Sequence, residues 1–241
     1  MKGTLKYLCS RTAIAAVLTL LLTCTACQAP GPVQRATVSA LPPAPDLPVH
    51  GSSHYVIDAG ESVLLILVYR GGPLAEFGHN HVIAAGNIQG DVYLTPDIHD
   101  AGFLIRIPVR GFTVDPAGAR RDEGKDFATQ PSPQAIAGTR ENMLGPKVLD
   151  SENYPEIRIR SLGLTGPAWA PDITARVTLH GVSRDLTIPV AMYHVNDRIV
   201  VTGTTYLLQS DFGMTPFSVM GGGLQVQDRV RVRFHFVAVK Q

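Results

Sequence analysis

Arg229-Val230-Arg231-Val232-Arg233-Phe234-His235-Phe236 sets an apolar side chain at every second position, with an arginine or histidine between. Successive side chains of an extended strand point to opposite faces. Val230, Val232, Phe234 and Phe236 therefore face a core, while Arg229, Arg231, Arg233 and His235 face water. A helix would spread the same residues around its axis and drive arginines into the core. The stretch reads as a half-buried strand of an antiparallel sheet with one wet face.

The same period recurs upstream. Phe103, Ile105, Ile107 and Val109 oppose Arg106 and Arg110, and Ile157 and Ile159 oppose Arg158 and Arg160. Ile173, Ala175, Val177 and Leu179 oppose Thr174, Arg176 and Thr178. A longer run reads alike: Val82, Ala84, Gly86, Ile88, Gly90, Val92 and Leu94 on one face, Asn87, Gln89, Asp91 and Tyr93 on the other. Further strands are expected near residues 55–58, 63–70, 186–193 and 199–208, about eight or nine in all. The fold class is all-β, and short strands joined at Gly, Asp and Asn indicate a sandwich or an up-and-down barrel. One long insertion, Asp115 to Asn142, interrupts the series. Its Pro131-Ser132-Pro133 forbids one continuous helix, leaving a short helix between Pro133 and Leu144 or a loop.

Lys2, Lys6 and Arg11 precede an uncharged run from Thr12 to Ala26 dominated by Ala, Val and Leu, which predicts a secretory signal over residues 1–26. The run falls short of the roughly 20 residues that a membrane-spanning helix needs. Its end, Leu21-Leu22-Thr23-Cys24-Thr25-Ala26-Cys27, is similar to a lipobox and makes Cys27 the candidate lipid anchor; cleavage near Ala26 or Ala29 by an ordinary signal peptidase is the alternative. Residues 27–53, rich in Pro, Ala and Val, read as an extended tether, and residues 54–241 as one domain. The expected location is the periplasm or cell envelope, with membrane attachment through lipidated Cys27. All three cysteines, Cys9, Cys24 and Cys27, belong to the signal or its end, so the domain has no disulfide and relies on its own core. A net charge of +1 argues against a nucleic-acid partner.

Three stretches carry a family resemblance: Ser151-Glu152-Asn153-Tyr154-Pro155-Glu156-Ile157-Arg158-Ile159-Arg160-Ser161; Leu179-His180-Gly181-Val182-Ser183-Arg184-Asp185-Leu186; and Ser210-Asp211-Phe212-Gly213-Met214 followed by Val226-Gln227-Asp228-Arg229-Val230. In their order and spacing the chain resembles the YceI-like family of periplasmic lipid- and polyisoprenoid-binding proteins, from about His54 to Val239. The resemblance implies an extended lipocalin-like antiparallel barrel, with an elongated apolar cavity for an isoprenoid or fatty chain and no catalytic residues. Where the family carries an Arg-Asp-x-His-Leu helix over the cavity, this chain has Arg140-Glu141-Asn142-Met143-Leu144, without the histidine. The insertion before it is expected to supply a different lid.

Phe77-Gly78-His79-Asn80-His81 puts two imidazoles two residues apart, on one side of a strand. Three readings stand: a structural hydrogen-bonding role, a polar contact at a cavity mouth, or part of a transition-metal site. A metal needs further protein ligands, and no mature-chain cysteine or close third histidine offers one, so no metal site is assigned. No Gly-x-Ser-x-Gly elbow surrounds Ser161, Ser210 or Ser218, and Gly221-Gly222-Gly223 lacks the lysine and helix of a phosphate loop. No catalytic residue and no enzymatic activity are assigned. Ligand contacts are expected from His79 and His81 and from apolar residues at strand ends and irregular segments: Phe77, Met143, Leu144, Phe212, Met214, Phe217 and Met220. The expected function is to bind and shelter or carry one apolar chain, an isoprenoid, quinone tail or fatty acid, with no other cofactor. A His-based metal-binding or redox-associated periplasmic factor is the alternative. A homodimer stays open.

Overall fold

The computed structural model of the protein describes residues 41–241. The expected signal, Cys27 and the start of the tether lie outside the described residues.

Three rungs of the wall are each made of two strands laid end to end. β1 (Ser53–Ile57) and β2 (Val63–Val68) are separated by a turn in which the Asp58 carboxylate accepts from the N–H groups of Gly60 and Glu61. After a short β3 (Arg70–Gly71), β4 (His81–Ala84) and β5 (Gln89–Leu94) form the second rung. β6 (Gly102–Pro108) and β7 (Thr113–Val114) form the third. The second half is continuous: β8 (Glu156–Thr165), β9 (Asp172–Leu179), β10 (Val182–Val195) and β11 (Arg198–Leu208). β12 (Ser218–Val219) and β13 (Leu224–Val226) join β3 in a small separate sheet.

β14 (Arg229–Lys240) closes the wall by pairing with β11 along one edge and with β1 and β2 in turn along the other. The order β1-β5-β6-β8-β9-β10-β11-β14 and back to β1 is an antiparallel ring of eight strands. The protein is thus an all-β, lipocalin-like barrel, not a sandwich. Ring closure leaves none of these eight strands with a free edge.

The run from Val82 to Leu94 is not the single strand that its alternation suggests. The chain turns a corner between Ala84 and Gln89, where Asn87 adopts a left-handed φ of 55°. The corner shifts the parity: Ile83 faces the interior from β4, and Val92 and Leu94 do so from β5. Val82 is instead buried with Leu65 and Leu67 in a separate cluster. Gly86 at this corner lies against Gly111 between β6 and β7, where a Cβ on Gly86 would come within 2.8 Å of the Gly111 carbonyl oxygen. Such close backbone approach needs glycine.

The insertion accounts for a second departure. β2 reads Val63-Leu64-Leu65-Ile66-Leu67-Val68 without alternation because both of its faces are covered. Leu64, Ile66 and Val68 look into the barrel, whereas Leu65 and Leu67 look outward onto Phe127 of the insertion. Rather than an open loop, the insertion is α1 (Ala117–Asp122), a 3-10 turn at Lys125–Phe127 and α2 (Pro133–Leu144). α2 starts where the prolines dictate: Pro133 occupies the first turn, and the Ser132 hydroxyl accepts from the Ala135 N–H at 3.2 Å. Glu123 pairs with Arg233 and fastens the insertion to the outer face of β14.

Part of the expected tether lies along the barrel. Arg160 and Arg176, outward on β8 and β9, donate to the carbonyls of Pro45 and Pro42, each at 2.5 Å. Leu47 and Pro48 pack at Gly102.

Candidate functional site

The inward residues of the eight rungs do not fill the barrel. They leave an elongated cavity of about 340 Å³ whose wall is almost wholly apolar, with Ile66, Ile83, Ile107, Ile159, Val177 and Ile188 each contributed by a different strand. Along β14 the cavity is lined from Val230 to Ala238, roughly 26 Å at about 3.3 Å per residue. A small volume drawn out over that length is a slot for a chain rather than a bowl for a compact molecule.

Aromatic packing shapes its middle. Phe234 and Phe236 stack with ring centroids 5.1 Å apart and planes at 22°. Phe234 folds over its cross-strand partner Gly203, where a Cβ would lie 2.5 Å from the ring. The glycine within Thr202-Gly203-Thr204 is thus the space that the Phe234 ring occupies.

Polar side chains on the wall gather toward one end: His81 of β4, Thr139 and Asn142 of α2, Thr205 of β11, and Gln209 just beyond it. The cross-strand register Thr205↔Val232, Val232↔Ile66 and Ile66↔Ile83 carries Thr205 to the level just inside His81. α2 supplies Thr139, Asn142 and Met143 to this end, so the insertion roofs the cavity.

His81 is held from behind. Its Nδ1 lies 2.7 Å from Asp115 Oδ2, and the Asp115 side chain is fully buried. Asp115 Oδ1 accepts from the Val82 N–H at 2.9 Å and from Arg120 Nη1 at 2.5 Å. Arg120, itself buried, also donates to the carbonyls of Asn80 and Thr129 at 2.8 and 2.6 Å. Burial raises the Asp115 pKa, but hydrogen bonds from His81, Val82 and Arg120 outweigh it and hold the carboxyl below its ordinary value. An ionised carboxylate only accepts, so His81 Nδ1 carries the proton and Nε2 looks into the cavity, 3.4 Å from the Thr139 hydroxyl.

Of the residues expected to meet a ligand, His81, Met143, Met214 and Phe217 line the cavity. Leu144 and Phe212 pack in the surrounding core and are not on the cavity wall. The His79 ring lies 6.3 Å from that of His81 and off the wall. Phe77 and Met220 turn outward, 70% and 75% exposed. Turns placed these side chains near the barrel end without aiming them inward. Among the described residues no group of three or more His, Cys, Asp or Glu side chains is placed to hold a metal ion.

Sequence reading missed Asp115, Arg120, Thr139 and Asn142. Asp115 sits 34 residues from His81 and is aimed at it by a left-handed backbone, φ 53°. The family model described as the YceI-like domain matches residues 75–238. No curated protein sequence matches. The solved structure of Burkholderia cenocepacia BcnA is similar at 16% identity and a TM-score of 0.57, over 76% of this chain and 99% of that one. A structure described as a polyisoprenoid binding domain from Saccharophagus degradans, implicated in plant cell wall breakdown, is similar at 12% identity and a TM-score of 0.54, over 79% of this chain and 99% of that one. At these identities the two structures speak for the fold.

Proposed function

The chain belongs to the YceI-like family, and from that premise we propose that it binds and shelters or carries one long apolar chain, such as an isoprenoid, a quinone tail or a fatty acid, in the bacterial cell envelope. The observation behind this reading is the long apolar slot down the barrel axis. The polyisoprenoid-binding description of the Saccharophagus degradans domain, which shares the fold, agrees with it. Burial supplies affinity: at about 0.8 kcal/mol per methylene, roughly ten buried methylenes offset a substantial share of the cost of ordering a flexible chain.

Mass spectrometry of organic extracts of the natively purified protein tests the reading, and a co-purifying long-chain lipid in near-stoichiometric amount is the expected result. Ala175, fully buried on the cavity wall, is the place to block it. Ala175→Phe should retain the β-rich circular dichroism of the wild type and lose the lipid. Extracts free of any apolar chain, together with no uptake of the neutral dye Nile red by the delipidated protein, would refute carriage.

The envelope location rests on the signal-like N-terminus and on Thr25-Ala26-Cys27. Cys27→Ala should move the protein from the membrane to the soluble fraction. A mature chain of unmodified mass that begins after Cys27 would refute the anchor.

A further inference from the structure

The cavity is more selective than an apolar slot need be. Among the described residues, its lining includes no Lys, Arg, Asp or Glu side chain. Arg120, the nearest cation to His81 in this network, is not on the wall, and its guanidinium is committed to Asp115 and two backbone carbonyls. An anionic head group drawn inside would leave water without gaining a counter-charge, a large penalty in a low-dielectric interior.

What the wall does offer is hydrogen bonding. With Nδ1 occupied by Asp115, His81 turns its other ring nitrogen, Nε2, toward the cavity. Its neighbour there, the Thr139 hydroxyl, stands at 3.4 Å, long enough that a ligand hydroxyl can approach both. Asn142 lines the same end three residues further along α2 and adds an amide that can donate and accept. We infer that His81, Thr139 and Asn142 form a head-group subsite that selects an uncharged, hydroxyl-bearing chain over the same chain ending in phosphate or carboxylate. The inference rests on the carrier reading above. Asp115 and Arg120 are positioning residues: they fix the imidazole tautomer and touch no ligand.

The test uses three probes of one chain length, geranylgeraniol, its monophosphate and the corresponding deoxygenated hydrocarbon, each competing with Nile red on the delipidated full barrel. The alcohol should displace the dye at concentrations at least about tenfold lower than either of the others, the size expected when a buried hydrogen bond is made rather than left unmade. His81→Phe, which keeps a ring and removes the hydrogen-bonding nitrogen, should erase the advantage of the alcohol over the hydrocarbon. Thr139→Val disturbs no buried charge and should shrink the same advantage severalfold, which keeps the test decisive if His81→Phe folds poorly. A phosphate that competes as well as the alcohol, or an advantage that survives in both variants, overturns the subsite while carriage stands. If none of the three probes displaces the dye, carriage itself fails and the subsite with it.

Discussion

Ile107→Asp should abolish the folded barrel at room temperature, whereas Arg106→Asp, one residue earlier, should leave it intact. Ile107 is 1% exposed and looks into the barrel from β6. The substitution removes a packed aliphatic side chain, at about 2–5 kcal/mol for truncation alone. It also places a carboxyl group where no cation lines the wall, at several kcal/mol more unless the group is neutralised. The sum is comparable with the whole stability of an ordinary domain, about 5–15 kcal/mol. Arg106 points outward directly opposite Arg158 of β8. An aspartate there replaces a repulsive cross-strand pair with an attractive one, worth a few tenths to about 1 kcal/mol. Thermal melts followed by circular dichroism separate the two. Similar losses from both variants would overturn the assignment of inner and outer faces.

Asp115→Ala carries the second large effect. It leaves the guanidinium of Arg120 buried with no anion and deprives the Val82 N–H and His81 of their acceptor. Breaking a buried ion pair from one side costs about 3–5 kcal/mol. For a domain of this size that lowers the melting temperature by roughly 10 °C. The pH dependence has a definite sign. The folded carboxyl titrates below its unfolded value, because the bonds from His81, Val82 and Arg120 outweigh the opposing effect of burial. Its stabilisation is therefore complete above the unfolded pKa of about 4 and fades as the pH falls through the lower folded value. Asp115→Asn, which keeps the shape and removes the charge, should thus lag the wild type most near neutral pH and approach it in acid. A constant gap between pH 7 and pH 3 would show that the lost shape, not the charge, matters.

The two halves of the barrel were not equally legible. In β8, β9 and β14, each strand has one face on the cavity and one on water, and the alternation of Ile, Val and Phe with Arg and Thr gave both the strands and their inward residues. β2 and β4 lack the alternation of a half-wet strand for one reason: the insertion covers their outer faces, so Leu65, Leu67 and Val82 are apolar where a wet face would be polar. The corner at Asn87 then shifted the parity of the following strand. Of the site, a pair of histidines at the entrance to a strand was visible in Gly78-His79-Asn80-His81, but not which of the two turns inward. In the structure His81 takes that place because Asp115, across the β4–β7 pairing, reaches its ring.

Local chemistry in the sequence by itself determined the strand-rich class, the start of α2 at Ser132-Pro133 and the apolar character of the inner face, because side-chain alternation and capping act between residues close along the chain. Closure into a ring, the unfilled slot along its axis and the ion pair behind His81 were decided only by the tertiary structure. Each depends on pairings between residues tens of positions apart, such as Tyr55 with Lys240 and His81 with Asp115. Whether inward side chains meet or leave a space depends on how the strands close around the axis, which no single strand encodes.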